Sequence, residues 1–229
     1  MITVVRARPK YNVIGAVLAG CILVVSAGCN VGGFLASPTS HEKKVPAEYN
    51  LRGAQKKVLV YVDEARQGST PADVRAAIDA AVRRLLMTKV RIKEQYVAEA
   101  IDYAPARMAA YSQLSPVQIG REAGADLVLY VRVESHDMHQ LHSAGYFSAS
   151  VITRSVLLDT ASGEVVWPKG EDVKLARIRF ELETKGREAA IERLARATAH
   201  CVTRHFYDCP GDEFRSGDEQ KEYDKIYWQ

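Results

Sequence analysis

Hydrophobic positions follow three different rules along this chain. Residues 13–25 form an almost unbroken apolar run, residues 30–55 show no sustained period, and from about residue 57 short β-rich runs alternate with helical periods. "KVLVYVD" (57–63) has the density of a buried strand. It is followed by "STPADVRAAIDAAVRRLLM", which predicts a helix over 71–87 with Thr70 as N-cap and Pro71 at the first helical position. Val74, Ile78, Ala81, Val82 and Leu85 fall on one face of that helix. "KVRIKE" (89–94) predicts a second, short strand, and 95–103 and 106–112 predict two helical pieces separated at Pro105.

The second half is better punctuated. Ser115 caps, Pro116 starts and Gly124 stops a short helix ahead of a strand over 126–135. Residues 145–158 predict another long strand, "DTASGE" a turn into "VVW", and "KLARIRFEL" a further strand. A closing amphipathic helix over 187–206 carries Ile191, Leu194, Thr198, Cys201, Val202, His205 and Phe206 on one face. This order predicts an α/β (α+β) two-layer sandwich: a mixed sheet of four to six strands with two main helices packed on it. The predicted division is a leader (1–28), a tether (29–55), the α/β domain (56–207) and a flexible polar tail (208–229).

The leader has three parts: basic "RARPK", apolar "VIGAVLAGCILVV", and small "SAG" before Cys29. Basic residues that stay behind while an apolar segment enters the bilayer are the layout of an export signal. Cys29 is the preferred lipid-attachment residue and Cys21, in "LAGC", the alternative. Processing at Cys21 would leave an apolar segment of only about 8 residues, at the short end of export signals, and would strand "ILVV" on the mature chain. The other alternative is an uncleaved signal anchor, since residues 13–36 reach the roughly 20 apolar positions needed to span a bilayer.

Charge matters mainly by where it lies. Lys and Arg number 31 against 28 Asp and Glu, and the whole excess of three is Arg6, Arg8 and Lys10 of the leader. The body is formally neutral, which argues against nucleic acid as a partner. "HDMHQLH" places His136, His139 and His142 three apart, a candidate site for zinc, copper or nickel. On a strand, however, 136 and 139 point to opposite sides, and the competing reading is a solvated hairpin end. Cys201 and Cys209 are a candidate disulfide, which an exported protein permits, or two free thiols. Paired carboxylates, a nucleophile elbow, a phosphate-binding glycine loop and His-Glu-x-x-His have no counterpart in the sequence.

"REAGADLVLYVRV" (121–133) resembles the helix–Gly-Ala-Asp–strand signature of small envelope α/β domains. These are the N-terminal domain of the Tol-system β-propeller protein, the periplasmic domain of the curli-secretion lipoprotein, and a penicillin-binding-protein activator lipoprotein. "LLDTASGEVVW" (157–167) resembles their later hairpin, and Lys43 to Tyr49 is similar to a segment of uncharacterised bacterial lipoproteins. The resemblance covers about 57–206 and implies binding to protein partners or assembly into homo-oligomers, without cofactor or catalysis. It does not extend to the transmembrane strands of the curli protein, because "RVESHDMHQLH" has polar residues on both faces. The sequence thus predicts a non-enzymatic, lipid-anchored envelope module facing the periplasm or exterior, with the outer membrane preferred over the inner. The alternative from another class is a His-dependent metal-binding protein or hydrolase.

Overall fold

The computed structural model describes residues 43–141, 145–170 and 173–220. Cys21, Cys29 and His142 lie outside the described residues. Among the described residues seven strands form: β1 (Lys44–Val45), β2 (Val58–Glu64), β3 (Leu127–Gln140), β4 (Tyr146–Asp159), β5 (Val165–Trp167), β6 (Lys174–Lys185) and β7 (Cys209–Pro210). The helices are α1 (Leu51–Ala54), α2 (Ala72–Thr88), α3 (Pro105–Tyr111), α4 (Pro116–Glu122) and α5 (Arg187–Thr203). β2 to β6 make one mixed sheet in which β2 and β3 are parallel and all later pairs antiparallel. β5 and β6 share the far side of β4, and β1 and β7 form a separate two-stranded ribbon. The α/β sandwich with a mixed sheet and two main helices is as the sequence predicts.

Strand alternation explains the layers. Val58, Val60 and Val62 stand in register with Leu127, Leu129 and Val131; Leu129 pairs with Leu157 of β4, and further along the same face of β4 Val151 and Ala149 pair with Ile178 and Phe180 of β6. All are buried, and α2 packs on β2 while α5 packs on β4 and β6. Burying one such aliphatic side chain is worth about 1.5–3 kcal/mol, so this face is the main apolar core. The opposite face is covered over only part of its extent. Leu59, Tyr61 and Val128 are buried there, next to α3 and α4. Further along, Arg132 and Arg154 stand directly opposite each other, exposed, with Glu134 Oε1 3.8 and 3.5 Å from their Nε atoms.

Three sequence expectations are corrected. Residues 89–94 form no strand, because the chain turns at Arg91, whose φ is +62°, and a 3-10 turn follows at Glu94–Tyr96. Here Ala98 N–H donates to Val58 O and Val97 bridges β2, so the segment lies along the sheet edge. Residues 44–55, expected in the tether, are folded onto the domain. Leu51 is buried and Glu48 accepts from Trp167 Nε1 (2.9 Å) and lies 2.8 Å from His205 Nδ1. The described part of the expected tail, 208–220, is ordered by pairing. Arg179 N–H donates to Asp218 O, Gln220 N–H to Arg177 O, and Arg204 forks onto Glu219, with Nη2–Oε1 at 2.8 Å.

Two consequences are measurable. A Cβ on Gly120 of α4 would meet Val128 Cγ2 at 2.3 Å and Thr160 Cγ2 at 2.7 Å. Gly120→Ala therefore lowers unfolding stability by about 1–3 kcal/mol, the usual cost of overpacking, read by urea titration. Arg204 and Glu219 side chains are 9 % and 14 % exposed. Removing one partner leaves a buried charge, so Glu219→Ala costs about 3–5 kcal/mol; a loss below about 1 kcal/mol would show a tail that contributes little.

Candidate functional site

A concavity with polar groups lies at the carboxyl end of β2, where the chain leaves the sheet for α2. Open α/β sheets bind ligands at the carboxyl ends of parallel strands because loops diverge there. Here the connection from β2 to β3 runs down α2 on one face, around the β2 edge, and back through α3 and α4 on the other. A cleft of about 530 Å³ remains between the β2–α2 loop and α3. Tyr61, Met108, Tyr111 and Leu114 give it an apolar wall, and Asp63, Glu64, Thr70 and Arg75 supply polar groups.

Local geometry fixes each of these. The β2–α2 loop is curled around Glu64, which accepts from Gly68 N–H (2.9 Å) and Thr70 N–H (2.8 Å). Gly68 has φ +76°, a conformation that costs a glycine little. Glu64 also lies 3.6 Å from Arg75 Nη1. Asp63 accepts from the Tyr130 hydroxyl at 2.8 Å, beside the tilted Tyr61–Tyr130 ring pair. Burial pushes the Tyr61 and Tyr130 hydroxyls up, with the Asp63 charge adding to it. The sequence reading made Thr70 the N-cap of α2. The structure instead places Pro71 there and starts the helix at Ala72, so the Thr70 hydroxyl is released from capping. Thr70 Oγ1 is buried without a hydrogen-bond partner, and so is Arg75 Nε. The two residues are 2 % and 6 % exposed.

Behind the cleft lies a second polar layer. The Arg75 guanidinium sits 5.7 Å above the Tyr103 ring. Tyr103 accepts Val62 N–H at 3.0 Å, and its hydroxyl interacts electrostatically with the Asp79 carboxyl. Asp79, one turn beyond Arg75 on α2, is buried and its Oδ1 is unpartnered. Burial raises its pKa to about 7, against the smaller opposing effects of Arg83 and the Tyr103 and Ile101 hydrogen bonds. None of these residues is singled out by a sequence motif. The available signal was weak: an Arg and an Asp, at 75 and 79, one position off the apolar stripe of an amphipathic helix.

The residues that the sequence did single out are dispersed. His136 and His139 are three apart on β3 and so face opposite sides of the sheet. His136 is half-buried with Nε2 unpartnered, and burial lowers its pKa. His139 is exposed, with Nδ1 3.2 Å from Asp137. Among the described residues no three His, Cys, Asp or Glu side chains gather into a metal site. Cys201 and Cys209 are separate buried thiols, not a disulfide. Burial drives Cys201 up to about 12, and Cys209 Sγ lies 3.6 Å from the Tyr207 hydroxyl. Among the described residues no helix is long and apolar enough to cross a membrane.

Asp79 yields a pH prediction. An acid raised in the fold binds protons that the unfolded chain, titrating near 3.8, has already lost. Its stabilising state is therefore complete below that value and is lost as pH rises through about 7. Relative to Asp79→Asn, the parent protein loses up to about 4 kcal/mol of stability between about pH 4 and pH 8, measured by urea unfolding at each pH. A constant difference between the two proteins would place the proton elsewhere.

No family model matches this chain, and no curated protein matches it. It is similar in structure to the PelC dodecamer from Paraburkholderia phytofirmans, with 16% identity over 72% of this chain and 95% of that one, TM-score 0.43. It is also similar to lipoprotein GNA1162 from Neisseria meningitidis, with 15% identity over 64% and 97%, TM-score 0.35. The LpoB C-terminal domain from Salmonella enterica gives 17% identity over 66% and 93%, TM-score 0.31. Similarity at this level transfers no function.

Proposed function

We propose that this chain is an exported protein of the cell envelope, tied to a membrane by acylation of Cys29, whose α/β domain is a non-enzymatic protein-binding or assembly module. The observation that carries the reading is the order basic, apolar, small, cysteine over residues 6–29. Attachment of two acyl chains or more gives durable membrane binding where a single chain is marginal. The folded body starts at Lys44. From residue 29 to residue 44 a fully extended chain spans at most about 50 Å, which keeps the domain near the bilayer whatever path that segment takes. A tethered module with a partly open sheet face and a cleft at one end has surfaces to offer a neighbouring envelope protein.

The test is the intact mass of the protein taken from the membrane fraction. The expected result is loss of residues 1–28 and added acyl mass on Cys29, abolished by Cys29→Ser. Acyl mass on a chain beginning at Cys21 would move the anchor to the alternative site. An unmodified chain with its leader intact would replace the lipoprotein by a signal-anchored protein.

A further inference from the structure

We infer that the cleft between the β2–α2 loop and α3 binds an uncharged, apolar peptide segment, with a backbone carbonyl accepting from Thr70 and Arg75. This deepens the protein-binding reading above and rests on it for the choice of a peptide over another apolar molecule. Three features fix the chemistry. The first is what is missing. Thr70 Oγ1 and Arg75 Nε are buried donors without an acceptor, on residues that line the cleft. A buried donor left unpaired costs about 1–3 kcal/mol, so an acceptor belongs there.

The second feature is charge. Asp63 and Glu64 stand beside those donors, and Arg75 is already close to Glu64. A carboxylate or phosphate would meet two like charges, whereas an amide carbonyl accepts without adding one. A lysine side chain would find both carboxylates already engaged, Asp63 by the Tyr130 hydroxyl and Glu64 by the loop N–H groups and Arg75. The third feature is the wall. Tyr61, Met108, Tyr111 and Leu114 offer apolar surface, and about 530 Å³ matches the space of a few residues. A pocket for a side chain beside donors for the main chain is the general arrangement of peptide recognition. Entry has a physical route. Thr70 Oγ1 and Arg75 Nε are shut off from water, and α3 is a short helix with no buried residue of its own. Elements held by so few buried contacts open at the lowest free energy.

The experiment titrates the full protein, isolated in detergent and methyl-labelled at methionine, with the blocked peptide acetyl-Ala-Leu-Ala-amide. Met108 lines the cleft, while Met87 and Met138 do not and serve as internal controls. The expected result is a saturable shift of the Met108 methyl alone, with affinity at least about tenfold weaker when the central leucine is replaced by aspartate or lysine. Thr70→Val is expected to weaken binding by about tenfold while melting no lower than the parent, because it deletes only an unpartnered hydroxyl. Absence of a saturable Met108 shift overturns the proposal, as does tighter binding of the aspartate or the lysine peptide. A Thr70→Val protein that binds unchanged, or that melts lower, overturns it too, since the hydroxyl is then idle or structural. A chain that carries acyl mass on Cys29 yet ignores the peptide loses the cleft and keeps the anchor.

Discussion

A β-sheet that ends in solvent leaves rows of backbone N–H and C=O groups able to pair with any passing strand. In this protein irregular segments lie against the outer strands β2 and β6, and much of the remaining architecture follows from that. On the β2 side, Ala98 N–H donates to Val58 O, and further along Val62 N–H finds the Tyr103 hydroxyl. On the β6 side, Arg177 O and Arg179 N–H are taken up by residues 218–220. Neither cover has the repeating ladder of a strand, so each is fixed by side chains. Tyr103 lies under the Arg75 guanidinium, while Arg204 and Arg193 hold Glu219 and Asp218. Removing a buried polar partner from either cover exposes a sheet edge as well as a charge.

Closing the second edge also determines where the chain enters the fold. The segment that leads to residues 218–220 pairs at Cys209–Pro210 with Lys44–Val45, so the entry of the domain and its exit lie side by side. Glu48 joins them to the sheet through Trp167, His205 and Lys174. The Trp167 ring packs at a tilt against both His205 and Phe206 within this joint, and Tyr49 meets Phe206 edge-on. Any pull on the chain ahead of Lys44 is thus delivered to a clasp built on the α5 end rather than to a loose tether.

What the sequence made legible, and what it did not, divides along the same line. Val58 to Val62, Ile78, Leu129, Leu157, Ile191 and Leu194 repeat with the period of their element, and periodicity found them. The Ser115 cap was legible for the same local reason, and the structure adds Gln118 three residues on, which closes a capping box within one turn. Val97, Ala98, Tyr103, Asp218 and Glu219 make contacts to residues distant in the sequence, and no window of neighbours reports that. "KVRIKE" has the alternation of a strand, but its residues serve to carry the chain from the end of α2 around the edge of β2. Thr70 was misassigned as a cap because its position before Pro71 satisfies the local rule, while Glu64, six residues earlier, had already taken the loop N–H groups. The polar groups of the cleft were illegible because Arg75 and Asp79 read as the wet margin of an amphipathic helix until β2, Tyr103 and α3 close over them.

The cover of the β2 edge and the cleft are therefore one construction. Tyr103 is the shared member, pairing with β2 and Asp79 on one side and lying under the Arg75 guanidinium on the other. Edge closure needs only an acceptor for Val62 N–H, and a Tyr hydroxyl with any satisfied partner would provide it. It does not need an acid held near neutrality by burial, nor a guanidinium with an unpaired Nε, nor an idle threonine hydroxyl. Apolar residues of the same shape at such positions are commonly no less stable, because they carry no desolvation penalty. Departures from local consistency of this kind concentrate at functional places. Thr70 and Arg75 line the cleft and Asp79 lies one turn behind them, so three of them fall within ten residues on or beside a single helix, while the other two unpartnered buried atoms among the described residues, Arg83 Nε and His136 Nε2, lie apart from the cleft. The clustering is what a binding site requires and edge closure does not.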